Sequence, residues 1–256
     1  MDLGIAGKRV LITGGSKGIG LACADSFAAA GCEIILASRD GAKLSAAADA
    51  LRGKVQVNVQ TFAADLSTAE GREALHAAHP DPDILVNNAG AIPAGRLQDI
   101  PIARWVEAWN LKVIGYIHMC QLYLPGMEAR RAGVICNIIG MAGRAPRAGY
   151  ICGGTGNAAL IAFTSALGGA AQEAGVRIFG INPAATATDR MITQARVNAK
   201  LKFGDEDRWA ETLTGLPYGR PIEAKEIADL AAFLASPRGG YVNGTVVDVD
   251  GGGMFR

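Results

Sequence analysis

The stretch from Arg9 to Gly20, RVLITGGSKGIG, decides the fold of this chain. Its first part is a short, mostly apolar run that is typical of a strand buried on both faces of a parallel sheet. A glycine-rich turn follows, and an apolar-periodic segment begins at Gly18. The order of strand, glycine turn and helix N-terminus predicts a dinucleotide-binding unit.

The glycines of this turn have separate predicted roles. Gly14 permits the sharp turn, Gly18 lets the backbone approach a pyrophosphate, and Gly20 allows close packing of helix against strand. Free N–H groups at the helix N-terminus then bind phosphate, and Ser16 and Ile19 belong to the same predicted phosphate-binding turn. The alternative is a turn with a structural role alone, which the motifs further along the chain disfavour.

Short apolar runs continue to alternate with helical patterns along the rest of the chain. The predicted strands are 9–13, 33–37, 55–62, 84–87, 133–138, 177–182 and 245–249. The predicted helices are 18–30, 43–52, 69–78, 102–122, 157–174 and 224–235. This alternation predicts an α/β fold, a Rossmann-type doubly wound parallel sheet of about seven strands, in a single domain covering residues 1–256.

A more polar segment, residues 188–217, interrupts the alternation between the sixth and seventh predicted strands. An insertion after the carboxyl end of a strand lies where open α/β sheets bind ligands. The position therefore predicts a mobile lid over a substrate pocket. Its candidate wall residues are Met191, Ile192, Leu201, Phe203 and Trp209. Alternatively, these side chains pack the lid onto the body of the protein or onto a neighbouring subunit.

Composition excludes several classes of protein. Half of the 256 residues are hydrophobic and 19% are charged, which excludes a disordered chain. The formal net charge of +1 and the lack of a sustained basic stretch argue against binding to nucleic acid or to an anionic membrane. The five cysteines form no C-x-x-C pair, and we find neither a signal peptide nor an apolar run of membrane-spanning length. We therefore expect a soluble cytoplasmic protein.

Further motifs follow the glycine turn, whose spacing is T-G-x-x-x-G-x-G. They are Asp65-Leu66 after the third predicted strand, Asn87-Asn88-Ala89-Gly90 after the fourth, Asn110 in the next helix, Asn182-Pro183 after the sixth strand and Asp250-Gly251-Gly252 near the end. In this combination the whole chain resembles the classical short-chain dehydrogenases/reductases. The resemblance implies a small-molecule substrate, a nicotinamide cofactor and a homo-oligomer, either a dimer or a tetramer.

The resemblance also implies roles for individual residues. Asp65 and Leu66 would hold the adenine, and Thr188 would contact the carboxamide of the nicotinamide. The ribose side of the site would be lined by Asn88, Ala89 and Gly90.

The end of the second predicted strand indicates which nucleotide is bound. A carboxylate there would accept a hydrogen bond from the ribose 2′-hydroxyl of NAD, but the chain has Ser38 and Arg39 instead. Both can accommodate a 2′-phosphate, and Lys17 in the glycine turn adds a second positive charge. We therefore expect NADP(H) rather than NAD(H). Asp40 is the counter-evidence, because a register error of one residue would put a carboxylate at the critical position.

The active-site motifs depart from the family pattern, which consists of an Asn, a Ser and a Y-x-x-x-K pair. Gly140 stands where the serine is expected. Tyr150 is the nearby tyrosine, but Gly154 follows it by four residues in place of lysine. A gapless alignment through the helix instead puts Gly153 at the tyrosine position and Asn157 at the lysine position.

Asn110 and Tyr150 are therefore the candidate catalytic residues. Without its lysine, Tyr150 stays almost fully protonated at pH 7 and can donate a proton in the reductive direction. The glycine run 153–157 either binds a ligand at the helix entry or forms a plain flexible helix cap. We expect an NADP(H)-dependent reductase of a carbonyl on a small or medium organic substrate. The alternatives are a nucleotide-binding sensor or partner subunit without turnover, and a lyase or isomerase.

Overall fold

Seven strands form one sheet in the computed structural model, which describes residues 2–255. They are β1 (Arg9–Thr13), β2 (Glu33–Ser38), β3 (Val59–Ala63), β4 (Ile84–Asn87), β5 (Gly133–Ile138), β6 (Val176–Pro183) and β7 (Val246–Val249). Their order across the sheet is β3-β2-β1-β4-β5-β6-β7, and each neighbouring pair is parallel. The predicted doubly wound α/β fold is confirmed.

Within residues 2–255, eight α-helices connect and cover the strands. They are α1 (Gly18–Ala29), α2 (Gly41–Arg52), α3 (Ala69–Ala78), α4 (Ile102–Leu111), α5 (Val113–Ala129), α6 (Ile151–Ala171), α7 (Asp189–Phe203) and α8 (Ala224–Ala235). The single helix predicted over 102–122 is wrong, because the structure has separate helices on either side of Lys112. The third strand begins at Val59 instead of residue 55.

Alternate residues of each central strand face opposite sides of the sheet and build two separate cores. In β1, Val10 and Ile12 pack with α1, α2 and α8, while Leu11 packs with α5 and α6 on the other face. All three side chains are fully buried. This two-sided burial explains why the strands have continuous apolar sequences.

Helix α6 and its 3₁₀ extension, Ile151–Ala174, are long and apolar enough to cross a membrane by length and composition. This finding corrects the expectation that no segment reaches that length. The helix belongs to the fold, because its buried residues Leu160, Thr164 and Ala171 face the body of the protein. The five cysteines are buried and free of disulfides.

The site is positioned by the direction in which the chain is wound. From β1 the chain continues to β2 and β3 on one side, and then crosses back to β4 and the strands beyond it. Neighbouring loops therefore separate at the carboxyl ends of β1 and β4, and a crevice forms between them. Helix α7 follows β6 directly and lies at this same edge of the sheet.

Candidate functional site

A cavity of about 1220 Å³ opens at the carboxyl edge of the sheet. It is lined by the glycine turn, the loops after β4, β5 and β6, the start of α6 and the segment 188–217. Nine of the predicted cofactor-binding residues line it: Gly14, Ser16, Lys17, Gly18, Ile19, Asn88, Ala89, Gly90 and Thr188. The structure thus gathers these nine residues from three separate parts of the chain around one space.

The glycine turn has the conformation that its sequence requires. Gly14 and Gly18 have φ values of +67° and +56°, which glycine adopts far more readily than other residues. A Cβ atom at Gly14 would lie 3.0 Å from the Cα of Ala89, and one at Gly20 would collide with the carbonyl oxygen of Gly14. The turn is therefore held close to the loop after β4.

The N-terminus of α1 points its backbone donors at the cavity. Lys17 is the N-cap residue of this helix, and its side chain makes no capping hydrogen bond. The first N–H groups of the helix are thus left for a ligand, and the helix dipole favours an anionic one. Together with the close glycine turn, this geometry fits the pyrophosphate of a dinucleotide.

The predicted adenine residues Asp65 and Leu66, and Ser38 and Arg39 at the predicted 2′-phosphate site, are not among the residues that line the large cavity. They lie near the carboxyl ends of β2 and β3. Asp65 accepts hydrogen bonds from the backbone N–H of Ser67 (3.0 Å) and from its hydroxyl (2.8 Å). The backbone hydrogen bond from Ser67 and the positive charge of Arg39 lower the pKa of Asp65. Leu66 is buried. The Oγ atom of Ser38 is buried and has no hydrogen-bond partner among residues 2–255.

Asp40 has a structural task at the start of α2. Its carboxylate accepts a hydrogen bond from the backbone N–H of Lys43 at 3.0 Å and pairs with the Lys43 ammonium at 2.7 Å. These hydrogen bonds lower the pKa of Asp40. The carboxylate that could have indicated NAD binding therefore caps a helix instead.

Tyr150 lines the cavity directly before α6. Its ring lies over Gly153, and a Cβ atom on that glycine would collide with the ring and approach the phenol oxygen to 2.6 Å. The Arg190 guanidinium on α7 donates hydrogen bonds to the Tyr150 hydroxyl (2.9 Å) and to the carbonyl oxygens of Gly90 (2.7 Å) and Ile92 (3.1 Å). Sequence reasoning missed Arg190, because nothing local distinguishes it from other arginines.

The glycine run 153–157 forms the first turns of α6, so the interpretation as a plain flexible cap is wrong. Asn157 is buried in this helix and donates a hydrogen bond to the Gly140 carbonyl at 3.3 Å, and its Oδ1 atom has no partner in the described part of the chain. Gly140 has a φ of +139°, and a Cβ atom there would lie 2.9 Å from Nδ2 of Asn157. Asn157 therefore occupies the space beside Gly140.

Lys112, between α4 and α5, is the second cavity residue that the sequence analysis missed. It is 8% exposed, and its ammonium group donates a hydrogen bond to the Ile139 carbonyl at 2.6 Å. Burial, aided by the positive charge of Arg190, lowers the pKa of Lys112 from 10.5 to about 7. The available signal was a lone lysine between apolar residues in the stretch Leu111–Ile114.

Asn110 is half-buried and is not among the residues that line the cavity. Its carbonyl oxygen accepts a hydrogen bond at 3.2 Å from the buried Arg72, which also donates to Nδ1 of His118 at 2.9 Å. Its predicted catalytic role stays a prediction.

The segment 188–217 lines part of the cavity with α7 and the turns that follow this helix. Of its five candidate wall residues, Met191 lines the cavity. Ile192 and Leu201 are exposed, by 37% and 43%, and neither they nor Phe203 and Trp209 belong to the lining. The lining from this segment also includes polar side chains, among them Gln194, Asn198 and Lys202.

Comparisons with known proteins agree with this geometry. The short chain dehydrogenase family model matches residues 8–198. The chain is 31% identical over 254 residues to the 3-oxoacyl-(acyl-carrier-protein) reductase of Vibrio cholerae, covering 98% of each. Among solved structures, it is similar to L-sorbose reductase from Gluconobacter frateurii complexed with NADPH and L-sorbose (TM-score 0.88, 32% identity, 98% of each chain). It is also similar to NAD⁺-bound xylitol dehydrogenase (TM-score 0.90, 25% identity, 97% of this chain and 99% of the other). The chain therefore belongs to the short-chain dehydrogenase family and is an NAD(P)-dependent oxidoreductase.

Proposed function

We propose that this protein is an NADP(H)-dependent reductase that acts on a carbonyl group of a small or medium organic substrate. The observation that carries the proposal is the position of Tyr150, whose phenol shares one cavity with the glycine turn. The nicotinamide cofactor, when bound, supplies the hydride. The protein then needs a proton donor for the substrate oxygen, and the Tyr150 hydroxyl is positioned for this role.

The contacts of Tyr150 favour the direction of reduction. Arg190 donates its hydrogen bond to the phenol oxygen, so the hydroxyl proton stays free for donation to a substrate. The ring of Tyr150 occupies the space that a side chain at position 153 would fill, and Asn157 fills the space beside Gly140. We infer that Tyr150 takes the place of the family tyrosine, which the gapless alignment puts at position 153. The active site is thereby rebuilt around a tyrosine that lies three residues earlier in the chain. Asn110 does not line the cavity, so it would shape the site indirectly, through the position of α4.

The nucleotide preference rests on Ser38 and Arg39. Ser38 has a buried hydroxyl without a partner, which a phosphate oxygen would satisfy. Arg39 is exposed at the same strand end and can bind that phosphate through its planar donors. Both features support NADP(H) over NAD(H), while the relatives include NADPH-bound and NAD⁺-bound proteins.

The remaining proposals concern the cellular setting. The exposed apolar side chains of Ile102, Val106 and Ile114 on α4 and α5 support a homo-oligomer, which a light-scattering mass would test. Five reduced, buried cysteines support a cytoplasmic location. The segment 188–217 would act as the lid.

The test is a fluorescence titration of the purified protein with NADPH and NADH, followed by oxidation of the preferred nucleotide against a panel of ketones and aldehydes. Tighter binding of NADPH, with turnover of at least one carbonyl, is the expected result. Tight binding without turnover on any carbonyl would favour a sensor or a lyase on the same scaffold. Failure to bind either nucleotide would contradict the proposal altogether.

A further inference from the structure

The buried ammonium group of Lys112 is unusual because no acidic side chain among residues 2–255 forms an ion pair with it. Its hydrogen-bond partner is the neutral carbonyl oxygen of Ile139, and the charged group that influences it is another cation, Arg190. A buried lysine without an acidic partner is costly to a fold, since the charged form is poorly solvated. Such a group persists most readily where it has a ligand to bind.

The position of Lys112 limits what that ligand is. The lysine stem passes over Gly90, where a Cβ atom would lie 3.1 Å from the Lys112 Cδ atom. The residue lines the large cavity together with Gly90, Gly140 and Asn157. Lys112 and Asn157 donate to consecutive carbonyl oxygens, those of Ile139 and Gly140, so both side chains are tied to the loop after β5.

We propose that Lys112 supplies the lysine of this active site and binds the ribose hydroxyls of the nucleotide at its nicotinamide end. The inference rests on the proposed function, because it requires that NADP(H) occupies the cavity. A lysine ammonium has three N–H donors, and one is used by Ile139. The other two are available to neutral oxygen acceptors in the cavity, and the loop containing Gly90 is the predicted ribose-binding wall.

This assignment explains how the site functions with Asn157 in the position that the family resemblance gives to lysine. Lys112 reaches the cavity from the junction between α4 and α5 instead of from α6. The side chain of Asn157 is shorter, and its amide is held by Gly140. The ammonium group therefore comes from a different element of the fold, but it lies beside the same loop, the one after β5.

The test compares two nucleotides that differ at the end in question. NADPH contains the nicotinamide ribose, whereas 2′,5′-ADP contains the adenine and the 2′-phosphate but lacks that ribose. Both are titrated against the wild type, Lys112→Met and Lys112→Gln by calorimetry. Lys225→Met, on the surface of α8 and remote from the cavity, is the matched control.

We expect both Lys112 variants to bind NADPH about tenfold or more weakly, because a hydrogen bond from a charged donor is lost. Binding of 2′,5′-ADP should change by less than about twofold, which also shows that the variants are folded. Lys112→Gln retains a donor for Ile139, so a shared defect of both variants cannot come from that bond.

Two results would overturn the inference. If NADPH binds the Lys112 variants as tightly as the wild type, the ammonium does not contact the nucleotide. If both nucleotides lose affinity equally, Lys112 only supports the shape of the loop. A wild type that binds neither nucleotide would instead contradict the proposed function, so the two failures are distinguishable.

Discussion

The cavity has two differently built ends. The nucleotide end is formed by the glycine turn, and the chemical end contains Lys112, Tyr150 and Arg190. At the nucleotide end, residues 13–20 determine the geometry locally, since the turn, the helix start and the close approach to Ala89 are all properties of glycines in one stretch. At the chemical end, Lys112, Tyr150 and Arg190 come from different elements and meet only in the folded protein.

This difference indicates which part of such a site can vary without loss of the fold. A turn that presents backbone N–H groups to a phosphate tolerates little change, because a Cβ atom at Gly14 or Gly20 would meet the main chain. A proton donor or an ammonium needs only to reach a point in the cavity, and several elements can provide it. We therefore expect variants at the two ends to fail in different ways.

The largest expected effect concerns the chemical end. Tyr150→Phe removes the proposed proton donor while keeping the ring over Gly153. Turnover of a carbonyl substrate should fall by roughly 10²- to 10⁴-fold, as is typical when a general acid is lost. The affinity for NADPH should stay unchanged. Steady-state kinetics and a nucleotide titration on the same preparation measure both quantities.

Tyr241→Phe is the matched control, since Tyr241 is fully exposed on the surface. It should behave as the wild type in both measurements. Full turnover of Tyr150→Phe would remove the role assigned to Tyr150. It would also show that the chemical end has not been rebuilt around this residue.

The second prediction concerns the free-energy cost of burying the Lys112 ammonium group. Burial and the charge of Arg190 lower the pKa of Lys112 from 10.5 to about 7, so the unfolded chain binds more protons than the folded protein between these two values. The contribution of Lys112 to stability should consequently rise with pH across that window. Lys112→Met removes this penalty and should be more stable near pH 7, by an amount on the order of a few kcal/mol.

Denaturant unfolding at pH 7, 8.5 and 10 would measure the effect. The stability difference between Lys112→Met and the wild type should shrink as pH rises towards 10.5, while Lys225→Met should show no such trend. Burial also raises the pKa of Tyr116, Cys23 and Cys120, but these groups are common to both proteins and cancel in the difference. A variant that is less stable at every pH would mean that Lys112 stabilises the fold and that its charge carries no penalty.

The third prediction concerns the nucleotide end. Gly20→Ala places a Cβ atom against the carbonyl oxygen of Gly14, so the turn or the helix must shift. We expect a loss of about 1–3 kcal/mol in stability together with weaker NADPH binding. Gly169→Ala is the control, because a Cβ atom on this exposed part of α6 meets nothing within 4 Å. It should stabilise the protein by about 1 kcal/mol without affecting binding.

The same contrast explains how much could be predicted from the sequence. The strands Arg9–Thr13, Ile84–Asn87 and Gly133–Ile138 were predicted to the residue, because buried parallel strands are continuous apolar runs with clear ends. The start of α6 was placed at residue 157 instead of Ile151. A glycine-rich stretch has low helix propensity, and only close packing against neighbours such as Trp109 shows why glycines are used there.

Lys112 and Arg190 could not be identified as site residues by any local pattern. Arg190 is one of many charged residues on a polar helix, and its contacts with Gly90 and Tyr150 span sequence distances of 100 and 40 residues. Lys112 marks the break between two helices that the apolar pattern merges into one. Tertiary contacts place both side chains, whereas the glycine turn is defined within eight residues.

The smallest expected effect distinguishes binding of NADP(H) from binding of NAD(H) at the end of β2. Arg39→Ala removes the proposed partner of the 2′-phosphate, so NADPH should bind about tenfold more weakly and NADH should bind as before. Asp40→Ala removes a helix cap and should cost about 1 kcal/mol in stability, with the NADPH-to-NADH affinity ratio unchanged. Titrations of both variants with both nucleotides measure these ratios. If Asp40→Ala weakens NADH selectively, its carboxylate binds the ribose 2′-hydroxyl, and the nucleotide end is then specific for NAD(H).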